Sequence, residues 1–269
     1  MMRLDALLVA RGLVAGRARA RAAIEAGGVT VDGVAATSAS QKVRPGAVLD
    51  AVEAHDFVGR GALKLDHALT HWPVPVEGRV VLDVGASTGG FTEVCLRRGA
   101  RRVFAVDVGS GQLHARLAED PRVANLERTD ARDLTATIVE EAPELIVCDA
   151  SFIGLAKILP AALSLAAPGA DLVALVKPQF EMEDRSRVGR GGVVRDAGAR
   201  EAALDRVCGW LARCGWSVQA TMESPITGGD GNVEFLLRAR RDGTGPDRER
   251  PPVEGSTGGL RHVADRQGG

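Results

Sequence analysis

The stretch VVLDVGASTGGFTEVCLRRG, residues 80–99, decides the fold, because an apolar run, a glycine-rich turn and an amphipathic helix follow one another. A continuous apolar run is typical of a parallel strand that is buried on both faces. Glycines at the following turn allow backbone amides to approach a ligand at the start of the next helix. The stretch therefore predicts a nucleotide-binding α/β unit.

Three more apolar runs that end in charged or small residues indicate further buried strands. They are RRVFAVDVG (101–109), ELIVCDAS (144–151) and DLVALVKP (171–178). Helical patterns separate them, and the runs SVQATMESPI (217–226) and NVEFLLRAR (232–240) predict a closing antiparallel hairpin. The sequence thus predicts an α/β fold, a Rossmann-like doubly wound sheet that binds ligands at the carboxyl ends of its strands.

A smaller unit with a different pattern precedes this sheet. RLDALLVARGL (3–13) and GRARARAAIEAGG (16–28) have the apolar spacing of two helices. VTVDGVAA (29–36) alternates around Asp32-Gly33, a strong hairpin signal, and KVRPGAVL (42–49) adds a strand and a turn. These elements predict a small α+β domain at the N-terminus.

Arginines concentrate in this N-terminal unit and predict an RNA-docking surface, because basic side chains on a rigid element neutralise phosphates. The alternative is a solvated charged face, which arginines alone would favour. The predicted RNA-binding residues are Arg3, Arg11, Arg17, Arg19, Arg21 and Arg60.

Composition excludes several classes of protein. The chain has 269 residues, 45% hydrophobic and 26% charged, with a net charge of −1, so RNA binding must depend on local clusters of basic residues. No apolar run reaches the roughly 18 residues of a membrane span, and no cleavable leader is visible, so a cytoplasmic location is expected. The 4 cysteines contain no CxxC pair and are expected to be buried thiols, with neither a metal site nor a disulfide.

The glycine-rich loop favours S-adenosylmethionine over a dinucleotide. Its spacing from Gly85 is GxxxGG, and Asp83 precedes it, a carboxylate that repels a pyrophosphate but suits a cationic amino-acid group. Asp107 at the next strand end is suited to ribose hydroxyls, and Asp130 to an adenine amino group, although a single such Asp is more often a turn or cap. The predicted cofactor residues are Asp83, Gly85, Ser87, Thr88, Gly89, Gly90, Phe91, Asp107, Asp130 and Asp149.

Charged residues at two further strand ends are unexpected in a core. Asp149 and Lys177 each terminate an apolar run, and burial of either one alone would be costly, so they are expected to be paired or functional. Glu234 is an acid in an otherwise apolar strand, for which an outward-facing position on an edge strand is equally compatible. Lys64, read alone, is a surface lysine beside the apolar stripe of a short helix.

The N-terminal unit resembles the S4 RNA-binding domain in residues 3–13 and 17–33. Lys64, Asp149, Lys177 and Glu234 together resemble the Lys-Asp-Lys-Glu tetrad of FtsJ-like 2′-O-ribose methyltransferases. With both parts present, the chain resembles the TlyA family of bacterial rRNA (cytidine-2′-O)-methyltransferases, some of which carry a hemolysin label. The pieces that carry this resemblance are RGALKL, DVGASTGGFT, CDASFI, VKPQFE and GNVEFLL.

Two departures from the family pattern are visible, and neither removes a tetrad residue. The chain has GRGALKL where family members commonly have SRGGLKL, and GGD at 228–230. The resemblance implies that Lys177 is the general base, Lys64 directs the 2′-hydroxyl, and Asp149 and Glu234 hold the lysines; the reverse assignment of the lysines stays open.

The resemblance also implies the domain organisation and partners. We expect an S4-like domain at 1–56, a linker at 57–63, the methyltransferase domain at 64–240 and a disordered tail at 241–269. The substrate implied is a cytidine in 23S and possibly 16S rRNA, bound by a monomer. The competing interpretation is a non-catalytic RNA-binding or hemolysin-like protein.

Overall fold

The structure is a computed structural model that describes residues 1–14, 16–25, 27–51, 56–182, 188–228 and 231–243. The predicted tail at 241–269 lies outside the described residues from 244 onward. Within the described residues the chain forms a small N-terminal unit and a larger α/β domain, as the sequence predicts.

The N-terminal unit packs two helices against short strands. Its elements are α1 (Leu4–Ala10), α2 (Arg17–Glu25), β1 (Met2–Arg3), β2 (Val29–Val31), β3 (Val34–Ala35), β4 (Lys42–Val43) and β5 (Leu49–Ala51). The strands β3, β2 and β5 form an antiparallel sheet in that order, while β1 pairs with β4. Asp32 and Gly33 form the β2–β3 turn with φ of 51° and 83°, which confirms the predicted hairpin.

A seven-stranded sheet organises the larger domain, in the order β11-β12-β10-β9-β6-β7-β8 among the described residues. Its strands are β6 (Val80–Val84), β7 (Arg102–Val106), β8 (Val123–Leu126), β9 (Leu145–Cys148), β10 (Asp171–Val176), β11 (Trp216–Glu223) and β12 (Phe235–Arg241). Strands β6 to β10 pair in parallel, and β12 is antiparallel to both β10 and β11. The predicted Rossmann-like sheet and its closing hairpin are confirmed.

Helices cover both faces of this sheet. They are α3 (Gly61–His71), α4 (Gly90–Arg97), α5 (Ala115–Ala118), α6 (Leu155–Ile158), α7 (Pro160–Leu165), α8 (Pro178–Glu181) and α9 (Ala197–Arg213). The pattern at 153–169 predicts one helix, but two short helices form because Pro160 lacks the N–H that would continue the first. Helix α3 begins inside the predicted linker 57–63.

Side chains alternate between two apolar clusters along each central strand. On β6, Leu82 packs in one cluster and Val81 in the cluster on the opposite face. Both strands next to β6 are also buried, so the sheet is covered on both sides, as long apolar runs require.

The register of β12 corrects the expectation for Glu234. Phe235 pairs with Val176, the last residue of β10, so Glu234 immediately precedes β12 rather than lying in it. Strand β12 runs between β10 and β11 and is not an edge strand. Because β12 is antiparallel to β10, its beginning meets the carboxyl edge where Lys177 follows β10.

Candidate active site

The glycine-rich loop between β6 and α4 lies close against the ends of β7 and β9. Asp107 accepts hydrogen bonds from the backbone N–H groups of Ser87 at 2.8 Å and Gly109 at 2.7 Å. Gly85 has a φ of 82°, and a Cβ there would lie 3.0 Å from the Cα of Ala150. A side chain at Gly85 is therefore excluded, and Asp107 is oriented by the loop that it holds.

A cavity of about 500 Å³ opens beside this loop. Its lining contains five of the predicted cofactor residues, which are Gly85, Ser87, Asp107, Asp130 and Asp149. Its apolar lining residues are Val106, Val108, Ala131, Ala150, Phe152, Ile153 and Ile158. An apolar slot bordered by carboxylates at strand ends fits an adenine ring with its ribose hydroxyls.

Asp83 is a buried acid that has no cationic partner among the described residues. It is fully buried, its Oδ2 accepts from the Thr92 hydroxyl at 2.7 Å, and its Oδ1 has no hydrogen-bond partner in the part of the chain that the structure describes. Burial raises the pKa of this carboxyl from 3.8 to about 7. An orphaned buried carboxylate oxygen next to the glycine loop fits the ammonium group of a bound methionine moiety.

Asp130 has a local structural role in addition to its place in the cavity wall. Its side chain accepts the backbone N–H of Arg132 and so caps the short 3₁₀ helix Ala131–Asp133, and it pairs with the Arg132 guanidinium at 2.5 Å. The hydrogen bonds from Arg132 hold the pKa of Asp130 at about 2. The carboxylate is thus fixed in its ionised form by a neighbouring arginine.

Two of the predicted cofactor glycines are explained by packing. A Cβ at Gly90 would lie 2.9 Å from the backbone N of Ala62, so Gly90 allows α3 to rest directly on α4. A Cβ at Gly89, where φ is 95°, would meet Leu117 of α5 at 2.3 Å. The loop therefore fixes the position of α3 as well as facing the cavity.

The four residues of the tetrad come together as two ion pairs, one buried and one partly buried. Lys64 Nζ lies 2.6 Å from Glu234 Oε2, and Lys177 Nζ lies 2.7 Å from Asp149 Oδ1. Lys64 and Glu234 keep only 8% and 3% of their side-chain surface exposed. The position of Lys64 on α3 is buried, so the interpretation as a surface lysine is wrong.

The ammonium of Lys177 is surrounded by acceptors. It donates to Ser151 Oγ at 2.7 Å and to the backbone oxygen of Asp149 at 3.2 Å, and it lies 2.7 Å from Asp149 Oδ1 as an ion pair. An ammonium has three donors, and these two hydrogen bonds use two of them. The contacts fix the position of the Lys177 nitrogen beside the cleft.

A second cavity, of about 300 Å³, lies on the other side of the tetrad. It is lined by Arg60, Gly61, Lys64, Asp149, Ser151, Phe152, Lys177, Gln179, Phe180, Ile226, Thr227 and Glu234. A third, of about 180 Å³, connects Asp149 and Lys177 to loop residues Ser87, Thr88, Gly90 and Phe91. The tetrad thus stands between the cavity beside the glycine loop and an open cleft.

Sequence reasoning missed two residues of this cleft. Ser151 follows Asp149 by two positions, and only its contact with Lys177 distinguishes it from an ordinary loop serine. Phe152 has a φ of 68° and is 85% exposed, with its ring centroid 5.4 Å from that of Phe180. A bulky residue in the left-handed region of φ is strained, and such strain is found often at functional sites. The only signal of Phe152 in the sequence is its position directly after CDAS.

The predicted RNA-binding arginines are partly committed to the fold. Arg3 and Arg17 lie 3.0 and 2.9 Å from the fully buried Asp5, and Arg21 lies 3.8 Å from it. Their hydrogen bonds, Arg3 first, hold the pKa of Asp5 well below its usual range. The three side chains remain 37% to 57% exposed, so their outer faces stay accessible to a ligand.

Three other arginines of the predicted set have different surroundings. Arg11 donates to the backbone oxygens of Ala47 and Pro45, which ties α1 to the loop before β5. Arg60 pairs with Asp50 at 2.8 Å and is only 18% exposed. Arg19 belongs to the exposed arginines of α2.

The remaining expectations concern thiols, metals and membranes. Cys95 and Cys148 are buried as predicted, whereas Cys208 is half-buried and Cys214 is exposed. Among the described residues no group of three His, Cys, Asp or Glu is arranged to hold a metal ion. Within the same part of the chain, the helices are too short or too polar to cross a membrane.

Comparison with known proteins agrees with this geometry. The FtsJ-like methyltransferase family matches residues 57–241, and the S4 domain matches residues 2–49. The 16S/23S rRNA (cytidine-2′-O)-methyltransferase TlyA of Mycobacterium tuberculosis is 46% identical over 240 residues, which cover 88% of this chain and 89% of that protein.

Two further relatives extend over most of the chain. YqxC of Bacillus subtilis, provisionally named an rRNA methyltransferase, is 42% identical over 260 residues, 94% of this chain and 90% of that protein. A solved structure from Streptococcus thermophilus, provisionally named a hemolysin, has a TM-score of 0.71 and 38% identity, and the match covers 89% of this chain and 88% of that one. The likeness therefore includes the N-terminal unit as well as the sheet.

Proposed function

Because the chain belongs to the FtsJ-like methyltransferase family, we propose that it transfers the methyl group of S-adenosylmethionine to the 2′-hydroxyl of a cytidine in ribosomal RNA. The observation that carries this proposal is the presence of two ion pairs with buried lysines, Lys64–Glu234 and Lys177–Asp149, between two cavities. The name of the mycobacterial relative supports the nucleotide and both ribosomal subunits as substrates.

The cofactor fits the cavity beside the glycine loop. Asp107 and the apolar walls suit the adenosine part, and the orphaned Oδ1 of Asp83 suits an ammonium group. S-adenosylmethionine supplies a methyl group on a cationic sulfur, so the protein has mainly to align the ribose oxygen with that methyl group. Asp149 and Lys177 line the cavity that connects the glycine loop to the cleft, which is where this alignment has to occur.

A ribose hydroxyl is a weak nucleophile, and the tetrad residues supply what it lacks. Bound S-adenosylmethionine would supply the methyl carbon and leave as the neutral thioether, and Lys177, once its ammonium had released a proton to solvent through the cleft, would accept the proton of the 2′-hydroxyl. Asp149 and Ser151 hold that nitrogen in position through contacts of 2.7 Å each. Lys64, fixed by Glu234, orients the hydroxyl by donating to its oxygen.

RNA recognition is divided between the two parts of the chain. The S4 domain presents the exposed outer faces of Arg3, Arg17 and Arg21, which are suited to phosphate contacts. At the mouth of the cleft, Phe152 and Phe180 form an aromatic platform on which a single unpaired base can stack. We further infer that the protein acts as a monomer in the cytoplasm.

The competing function is that of a non-catalytic RNA-binding or hemolysin-like protein. It is favoured by the hemolysin name of the streptococcal structure. It gives no role to two lysines that are buried with acidic partners at a cleft, which would be costly to keep without a function.

One experiment separates these functions. Purified full-length protein is incubated with tritiated S-adenosylmethionine and unmodified small and large ribosomal subunits, and labelled RNA is mapped for 2′-O-methyl groups. The proposal expects stoichiometric label on a ribose. Label on neither subunit, from protein that binds both RNA and S-adenosylmethionine, would contradict it and favour the non-catalytic function. Sedimentation of the same preparation checks the monomer.

A further inference from the structure

One carboxylate of the S4 domain reaches the catalytic cleft. Asp50 lies in the middle of β5, where it pairs across the sheet with Thr30. Its Oδ2 accepts from the Arg60 guanidinium at 2.8 Å and from the Thr227 hydroxyl at 2.9 Å. Arg60 and Thr227 both line the 300 Å³ cleft, so a residue of the RNA-binding unit holds two walls of the candidate active site.

Arg60 and Thr227 are each close in the chain or in space to one member of the Lys64–Glu234 ion pair. Arg60 is the residue before α3, and Lys64 lies in the first turn of that helix. Thr227 lies in the β11–β12 connection, which returns to Glu234; a Cβ at the next residue, Gly228, would lie 2.4 Å from Glu234 Oε1. Displacement of either wall therefore changes the distance between Lys64 and Glu234.

The Asp50 contacts differ from those of an ordinary surface ion pair. The side chains of Asp50 and Arg60 are 24% and 18% exposed, so the pair is less screened by solvent than exposed pairs, which contribute little. A single oxygen receives both donors, and the donors come from two segments far apart in the sequence. This geometry fixes the segments relative to one another.

We propose that Asp50 is a positioning residue that couples the S4 domain to the Lys64–Glu234 pair. This inference rests on the proposed methyl transfer and adds that the S4 domain contributes to the rate of the chemical step as well as to RNA affinity. RNA that binds the arginine face contacts the same small unit that contains β5. The docked position of that unit therefore sets the width of the cleft.

The test measures single-turnover methyl transfer at saturating ribosomal subunit and, separately, the affinity for that subunit. Asp50→Asn is expected to lower the single-turnover rate about tenfold, less than the roughly 100-fold that a misplacement of about 1 Å at a reacting group can cost, because Asp50 acts through Arg60 and Thr227. The affinity for the subunit is expected to change less than about twofold. Asp50→Glu, which keeps the carboxylate, should recover most of the rate.

The matched control is Asp32→Asn, because Asp32 is also an S4-domain acid paired with an arginine, Arg44 at 3.2 Å, but within its own unit. This variant should keep the wild-type rate. Thr227→Val added to Asp50→Asn should slow the reaction by less than the two separate effects combined, because both changes weaken the same contact.

Three results would overturn the coupling. They are a rate for Asp50→Asn within twofold of wild type, a loss that is confined to RNA affinity, or fully additive effects of Asp50→Asn and Thr227→Val. An inactive wild-type protein would instead refute the proposed methyl transfer, so the two failures are distinguishable. Thermal unfolding of each variant shows whether a rate loss reflects a loss of fold, and Asp50→Glu then supplies the deciding comparison.

Discussion

Two fully buried aspartates, one in each part of the molecule, show opposite electrostatic designs. Asp5 in the S4 domain is surrounded by the guanidinium groups of Arg3, Arg17 and Arg21, and its pKa is held low. Asp83 in the methyltransferase domain has, among the described residues, one hydroxyl donor and no cation; its Oδ1 has no partner there, and burial raises its pKa to about 7.

The two aspartates differ in whether the chain itself supplies a partner for the charge. The charge of Asp5 is satisfied within the chain, so it stabilises the unit that holds RNA. The charge of Asp83 is unsatisfied within the described residues, and the chain pays for this in stability. The cleft is intermediate, because Asp149 and Glu234 have cations of their own but those cations face a cavity.

The largest expected effect on activity follows from removing Lys177, the cation that pairs with Asp149. Lys177→Ala leaves Asp149 without its ion-pair partner and removes the proposed base, so the methyl-transfer rate should fall by about 10³-fold. Binding of S-adenosylmethionine, measured by calorimetry, should stay within about threefold, since Asp83 and Asp107 are unchanged. Lys157→Ala, an exposed lysine on α6, is the control. A Lys177→Ala protein with the wild-type rate would refute the assignment of the tetrad.

Asp83→Asn sharpens the comparison through its pH dependence. Since the folded-state pKa of Asp83 lies above its unfolded value, the folded state holds the proton longer, and wild-type stability should fall as pH rises from about 4 to about 7. The variant should lose this slope and gain a few kcal/mol at pH 8, because each unit of pKa shift corresponds to about 1.4 kcal/mol.

Urea unfolding at pH 5 and pH 8, with and without S-adenosylmethionine, measures both effects. The cofactor should stabilise wild type more than Asp83→Asn at pH 8, because only wild type offers a carboxylate to its ammonium group. Equal stabilisation of the two proteins would show that the Asp83 carboxylate does not interact with the ammonium group of the cofactor.

Asp5→Asn should show the reverse pH behaviour. The folded-state pKa of Asp5 is lowered, so its contribution is fully present above the unfolded value near 4 and is lost as pH falls below it. At pH 7 the variant should be less stable by about 2 kcal/mol, the usual cost of losing hydrogen bonds to a charged group. Circular dichroism melts follow this loss, while S-adenosylmethionine affinity serves as the unaffected control. A variant as stable as wild type at pH 7 would mean that the contacts between Asp5 and its arginines do not stabilise the fold.

The smallest expected effect belongs to Ser151→Ala. The change removes one of the two hydrogen-bond acceptors of the Lys177 ammonium but leaves the ion pair with Asp149 in place, so the rate should fall about tenfold. Ser164→Ala, whose hydroxyl bonds to the Ala161 backbone oxygen on α7, is the matched control. An unchanged rate for Ser151→Ala would reduce Ser151 to a packing residue.

Much of the fold could be predicted because local patterns determine it. The continuous apolar run of β6 and the Asp32-Gly33 turn are properties of neighbouring residues, and both formed as expected. The division at Pro160 was readable from the missing N–H, yet the long apolar pattern concealed it. The insertion of β12 between β10 and β11 depends on contacts between distant residues, which periodicity does not contain.

The site was predictable in its residue types and less so in its contacts. Strand-end acids such as Asp107 were visible because a core would not choose them. The burial of Lys64 was not, because helical spacing places it beside the apolar stripe and only Glu234, 170 positions away, explains it. Asp50 and Thr227 gave no signal at all, since an aspartate in a short strand and a threonine in a loop are ordinary residues.

The place of β12 in the sheet also sets the order in which the protein becomes competent during its synthesis. The S4 domain is complete once residue 51 has been made, and domains made first can fold first. Glu234 and β12 come almost last, and β11 is attached to the rest of the sheet only through β12. A nascent chain therefore acquires a surface for RNA long before it acquires a working tetrad, and an interrupted chain would compete for the same RNA without modifying it.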